Sequence, residues 1–152
     1  MDTPKGVTLW LALWKATREM DRVAQNDITS LGLCLTDFGV LEVLLNRGPL
    51  PVNVIADKVM LTSGSMTTAV HRLAGKGLVR RTGHPRDGRV KVVALTDEGR
   101  SLIQPAYTAH ARTIEGVFAP LTDEERSTLL QLLLKLRHSA RDRSSPTIEE
   151  QT

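Results

Sequence analysis

The chain has 152 residues and a formal net charge of +3, with 24% charged, 41% apolar and only 3% aromatic residues, which predicts one domain with a core of Leu, Val, Ile and Ala. No apolar run approaches the roughly 20 residues of a bilayer-spanning helix, and MDTPKGVTLW lacks the basic lead and apolar stretch of a signal peptide. One cysteine, Cys34, excludes an internal disulfide and a four-cysteine zinc site and points to a reducing cytoplasm.

Residues 7–25 place Leu9, Leu13, Trp14, Ala16 and Met20 near a helical period, predicting a first helix that ends near Asn26. A connector follows to Cys34. Thr36 reads as the N-cap of a second helix carrying Phe38, Leu41, Val43, Leu44 and Leu45, stopped by Arg-Gly-Pro at 47–49. A short helix at 51–59 carries Val52, Ile55, Ala56 and Val59 on one side. After three connecting residues the helical pattern resumes at 63–79, with Met66, Val70, Leu73 and Gly77 on one face. Two short helices joined in this way predict a helix-turn-helix.

Leu78–Thr82 and Arg89–Leu95 have strand composition, and the intervening Gly-His-Pro-Arg-Asp-Gly is rich in turn formers. A basic hairpin after a helix-turn-helix makes the winged variant. Thr96 caps the next helix, with Asp97 and Glu98 at its positive end, and Pro105 is expected to bend it before Pro120 stops it. Thr122 and Glu125 form a capping box for a last helix at about 123–141. Its LLQLLLKL stretch carries leucine on more than one face, which calls for burial against a second subunit.

The expected fold is mainly α: a winged helix-turn-helix (36–95) with a small antiparallel β-hairpin wing, flanked by long N- and C-terminal dimerisation helices (7–26 and 97–141). Together these form a single domain over 1–143, with a flexible tail at 144–152.

Charge placement sharpens the function. Residues 71–91 hold seven basic side chains against one acid, a local +6 that leaves −3 for the rest. Clustered Lys and Arg suit a polyanion, because they displace counterions from a phosphate backbone; a merely solvated basic face is the alternative. With Met66, Val70 and Leu73 inward, Ser65, Thr68 and Arg72 point outward on the second helix, with Thr67 and His71 at the flanks. Ser and Thr can touch phosphate or a thymine methyl, and Arg can grip guanine in the major groove. Ser63 joins this N-terminal set; for Ser65 and Thr67, helix capping or simple exposure is the competing role. Gly64 allows close backbone approach to DNA, or is only a poor helix former in a first turn. Arg86, Lys91, Arg80 and Arg81 read as phosphate contacts, although strand alternation keeps Arg80 and Arg81 from serving equally.

An enzyme is disfavoured. Gly64-Ser-Met-Thr-Thr lacks the second glycine of a nucleophile elbow and follows no strand. His71, His84, His110 and His138 are too scattered for a metal site, so neither metal nor cofactor is expected. A winged helix that binds protein remains a rival, but its wing would not need such charge.

LTDFGVLEVL (35–44), TSGSMTTAVHRLAGKGLVRR (62–81), PRDGR (85–89) and LTDEG (95–99) resemble the multiple antibiotic resistance regulator (MarR) family of winged-helix transcriptional regulators, over about residues 7–141. The resemblance implies a homodimer that binds a pseudo-palindromic double-stranded operator, commonly as a repressor. A small phenolic ligand or cysteine oxidation would lower its affinity. The stretch at 48–67 resembles the subgroup that answers quinones and other electrophiles. The resemblance also assigns Arg89 to minor-groove insertion and Asp87 to holding the hairpin. Two departures stand out: His71 replaces an aspartate often found before the Arg-Leu of the recognition helix, and no cysteine lies at the start of the first helix. Trp10, Trp14, Phe38, Tyr107 and His110 are candidate ligand-lining groups where the first, second and fifth helices meet, or else core and dimer interface. Cys34 is a redox-sensing candidate, or a small buried hydrophobe, and Asp37 nearby works against its thiolate.

Overall fold

A computed structural model of the chain describes residues 3–84 and 87–144. It contains α1 (Gly6–Thr29), α2 (Leu35–Arg47), β1 (Leu50–Pro51), α3 (Val52–Val59), α4 (Ser63–Gly75), β2 (Val79–His84), β3 (Asp87–Leu95), α5 (Asp97–Phe118) and α6 (Asp123–Ser144). Two compact units divide the chain, residues 1–114 and 115–152, so the expected single domain runs across both.

In the first unit, α1 runs a turn beyond the expected end because Ile28 is drawn into the core, and Thr29 and Ser30 donate their hydroxyls back to the carbonyls of Gln25 and Asp27. Helix α2 starts earlier than expected. Cys34, in extended conformation, stands at its N-cap, and the Phe38 amide already donates to the Cys34 carbonyl. Thr36 is therefore inside the first turn and is not the cap. Gly48, at φ +74°, ends the helix in a backbone region closed to most side chains.

Between α3 and α4 the chain turns through Met60, a left-handed residue at φ 58°. The α4 helix buries Met66, Ala69, Val70 and Leu73 but stops at Gly75, short of the expected 79. Gly77 has φ +71°, so it is the turn that releases Leu78 and Val79 into strand and does not belong to the helical face. The hairpin pairs Val79 with Leu95 and Thr82 with Val92, with an irregularity between Gly83 and His84. β1 adds a third strand, in the order β1-β3-β2, with Leu50 opposite Val93 and Pro51 opposite Val92. Its proline is tolerated because the strand lies at the sheet edge.

One apolar cluster unites these pieces: Ile28, Phe38, Leu41, Leu44, Ile55, Met66, Val70, Leu73, Val79, Val93 and, from α5, Ile103. Thr96 fastens α5 to the hairpin. Its hydroxyl accepts from the Gly99 amide at 3.0 Å, as the expected cap, and donates to the Gly77 carbonyl at 2.6 Å. Pro105 lies inside α5.

In the second unit the capping box forms as expected. The Thr122 amide donates to Glu125 Oε2 (2.8 Å) and the Glu125 amide to Thr122 Oγ1 (3.2 Å). Arg126 pairs with Glu115 and donates to the Phe118 carbonyl. Leu130, Leu132, Leu133, Leu134 and Leu136 of α6 are all exposed.

Where α5 leaves the hairpin, a Cβ on Gly99 would lie 1.9 Å from the Leu78 carbonyl oxygen, a backbone atom that cannot swing away. Gly99→Ala should therefore cost about 2 kcal/mol or more, read as a lower urea midpoint; an unchanged midpoint would show that α5 shifts freely.

Candidate nucleic-acid interface

The N-terminus of α4 is organised by Thr62. Its hydroxyl accepts from the Ser65 amide (3.3 Å) and donates to Ser65 Oγ (3.0 Å). Ser65 is thus partly engaged in capping, while Thr68 Oγ1 donates back to the Gly64 carbonyl. Gly64, Ser65, Thr67, Thr68, His71 and Arg72 are all exposed, opposite the buried Met66, Ala69, Val70 and Leu73. The Ser63 side chain lies outside the described residues.

Arg72 has a duty that the sequence did not suggest. Its Nε donates to both oxygens of Asp37 (3.1 and 3.0 Å), and a terminal nitrogen also reaches Oδ1. Hydrogen bonding to Asp37, then its negative charge, holds the guanidinium pKa above its ordinary value. Lys76 stands 3.8 Å from the same carboxylate and donates to the Gly32 carbonyl (2.8 Å). Asp37 is only 1% exposed, and a carboxylate so buried needs such partners. Arg72 lies on the outward face of α4, as its spacing predicts, and its side chain is 42% exposed, but its guanidinium head is turned back onto Asp37 of α2. Asp37 and Arg72 are 35 residues apart, so no local pattern in the sequence flags the pair.

On the wing, Arg80 and Arg81 of β2 and Lys91 of β3 are exposed, whereas Val79, Val92, Val93 and Ala94 of the same strands are buried. Arg80 and Arg81 are both exposed despite the alternation of the strand, which lies at the sheet edge. Asp87 pairs with His84 at the end of the hairpin. Arg86, and the side chains of Asp87 and Arg89, lie outside the described residues. Among the described residues, α4 and the hairpin therefore offer short polar groups, one imidazole and a row of cations.

Cys34 is exposed and is not the buried hydrophobe of the alternative reading; its Sγ lies 3.6 Å from an Arg72 nitrogen that donates to it. The proposed ligand-lining set splits. Phe38 is buried and meets the His110 ring edge-on at 4.9 Å, and Tyr107 is half-buried on the same helix as His110. Trp10 and Trp14 are 64% and 47% exposed, with Arg18 stacked 5.3 Å from the Trp14 ring. They stand about 20 Å or more up α1 from Asp27, at 1.5 Å per residue.

Asp27 and Glu42 are the groups that sequence reasoning missed here. His110 Nδ1 and Asp27 Oδ2 face each other at 3.9 Å, both buried and without a hydrogen-bond partner. Burial pushes the Glu42 carboxyl pKa up, against a smaller opposing pull from His110. Among the described residues no group of three or more metal-ligating side chains occurs, and no helix is long and apolar enough to cross a membrane.

Comparison with known proteins gives a consistent picture. Residues 33–91 match the model of the MarR family. The helix-turn-helix transcriptional regulator MhqR of Bacillus subtilis is 32% identical over 91% of this chain and 96% of its own length. A Pseudomonas aeruginosa protein described as a probable transcriptional regulator has a solved structure that is 31% identical, with TM-score 0.71, covering 83% of this chain and 94% of that one. A mutant MarR from Escherichia coli, solved in complex with operator DNA, shares the fold at 23% identity and TM-score 0.75, over 84% of this chain and 92% of its own.

The Asp37–Arg72 contact makes a coupled pair. Arg72→Ala should cost about 2 kcal/mol, less than for a fully buried partner because the arginine is part-exposed. Asp37→Asn combined with Arg72→Ala should cost less than the two single changes summed, by about 1 kcal/mol or more in urea unfolding. Strictly additive costs would show that the contact carries no energy.

Proposed function

The chain belongs to the MarR family, and from that membership we propose a homodimeric repressor that leaves a pseudo-palindromic operator when a small phenolic or quinone-like ligand binds. As a member of this family it is a DNA-binding transcriptional regulator and not an enzyme.

The observation that carries the reading is a set of exposed groups among the described residues: Gly64, Ser65, Thr67, Thr68 and His71 on α4, and Arg80, Arg81 and Lys91 on the hairpin that follows it. Helix α4 enters the major groove with Gly64, Ser65, Thr67, Thr68 and His71 at the base edges and phosphates, with Ser63 at the helix start. Arg72 contributes by fixing the helix on α2. Arg89 reaches the minor groove, where a narrow A·T-rich tract attracts a guanidinium, and Asp87 holds the tip; Arg80, Arg86 and Lys91 meet phosphates.

A second copy supplies the cover that the exposed leucines of α6 and the exposed Val7, Leu9, Trp10, Leu11, Leu13 and Trp14 of α1 require in water. Two-fold symmetry then sets the half-sites about one helical turn apart. The effector acts at the junction of α1, α2 and α5, where Phe38, Tyr107 and His110 lie. A phenolic hydroxyl there would satisfy the unpartnered Asp27 and His110 atoms together.

Thiol sensing is a second reading, favoured by the exposure of Cys34 and its contact with Arg72. Modification of the sulfur would disturb the arginine that seats the recognition helix.

On a duplex from its own promoter region, the affinity should fall by about a thousandfold between about 50 and 200 mM salt, if on the order of six phosphates are contacted. Arg89→Ala should lose about tenfold or more in affinity while sedimenting as the same dimer. A variant that binds as tightly as the parent would overturn the wing assignment, and a single subunit at micromolar concentration would overturn the dimer. Under quinone or peroxide, Cys34→Ser should stay on the operator while the parent leaves, if the thiol is the sensor; equal release would exclude that reading.

A further inference from the structure

Four polar side chains of α2 and α3 remain without a role. Glu42, Asn46 and Arg47 of α2 and Lys58 of α3, together with Val43, line one cavity of about 410 Å³. That volume lies within the range of small-molecule sites. None of the four has a hydrogen bond or ion pair within the described structure, whereas the other interior-facing acid of α2, Asp37, is fully engaged. Arg47 and Lys58 occupy the last turns of their helices, where a cation complements the helix dipole. That accounts for each charge separately. It does not account for their convergence, from two different helices, on a cavity they share with an amide and a half-buried carboxyl.

We propose that this cavity binds a small organic hydroxy acid, with its carboxylate between Arg47 and Lys58, its hydroxyl at Glu42, and its short apolar body against Val43. The charges match: two cations and one acid leave a net +1 for a monoanion. Glu42 tells a hydroxy acid from a plain acid because its carboxyl accepts a hydroxyl proton and offers no attraction to a second carboxylate. Asn46 adds a donor and an acceptor at the rim. A ligand held by both helices ties α3, the first helix of the helix-turn-helix, to α2, where Gly39 already approaches Val59 closely. Glu42 also feels the charge of His110 at the α1–α2–α5 junction, so the site adjoins that junction, while Asn46, Arg47 and Lys58 belong to the cavity alone.

The test is an amide-resolved NMR titration of the full chain with 3-hydroxybutyrate, butyrate and inorganic phosphate, scored together with operator binding in the same buffers. Saturating shifts are expected at residues 42–47 and 55–59, with 3-hydroxybutyrate binding more tightly than butyrate. Arg47→Ala and Lys58→Ala should each weaken binding about tenfold, the effect of losing one charge-assisted hydrogen bond. Glu42→Ala should bring 3-hydroxybutyrate down to the affinity of butyrate while butyrate still binds, and a parent-like amide spectrum checks that each variant is folded. Shifts that map elsewhere, phosphate saturating the same amides as tightly, or no saturation by about 50 mM, an affinity too weak for specific recognition, would each overturn the proposal. Because binding is read from the amides, loss of operator affinity without shifts at these residues would refute this site and leave the regulator reading standing.

Discussion

A single buried carboxylate fixes the reading head. Asp37 sits in the first turn of α2, almost wholly removed from water, and such a charge is tolerated only when partners replace its hydration. Those partners come from the far half of α4 and the residue that caps it: Arg72 closes on both oxygens, and Lys76 adds its charge while reaching to the Gly32 carbonyl. The connector after α1, the start of α2 and the end of α4 are thereby pinned at one point. Apolar packing of Met66, Val70 and Leu73 presses α4 onto the core but is non-directional. The ion pair is directional, and it resists rotation of the helix about its own axis. Cys34 borders this contact, which places the only thiol of the chain against the arginine that holds Asp37.

A second constraint is steric. Gly77 turns the chain out of α4, Leu78 opens the hairpin, and α5 returns so close to Leu78 that only glycine fits at 99. Thr96 bonds both sides of this crossing, through the Gly77 carbonyl and the Gly99 amide. Wing and recognition helix therefore share one backbone corner, and α5 is fastened to that corner. The distance from there to Phe38 and His110 is bridged by Ile103, part of the same apolar cluster.

Much of this architecture was legible because its signals are local. Helical periodicity located the six helices of the described residues, Thr122 with Glu125 formed the capping box that their spacing implied, and Thr96 capped α5 as expected. The errors arose where a local rule had two solutions. Gly77 satisfies the helical period of Met66, Val70 and Leu73, yet a glycine at that spot serves equally as a left-handed stop, and the strand that follows decides in favour of the stop. Thr36 has cap chemistry, but the helix begins two residues earlier, at a cysteine that supplies no cap. A two-residue strand such as Leu50–Pro51 leaves no periodicity to detect; it exists only because β3 is there to pair with it. In the candidate site, the exposed face of α4 followed from the period, whereas the Asp37–Arg72 and Asp27–His110 encounters join residues remote in sequence and needed the fold to reveal them.

The inward turn of Arg72 has a consequence for the vocabulary of the reader. With its longest arm folded away, the front of α4 is left with hydroxyls, a bare glycine and an imidazole, none of which spans a base pair with two parallel donors. Set into a groove as proposed, such a surface would discriminate by intimacy: it would have to sit deep, sensing methyl bumps and the contour of the groove more than the identity of any one guanine. A tract's capacity to deform would then count for as much as its lettering.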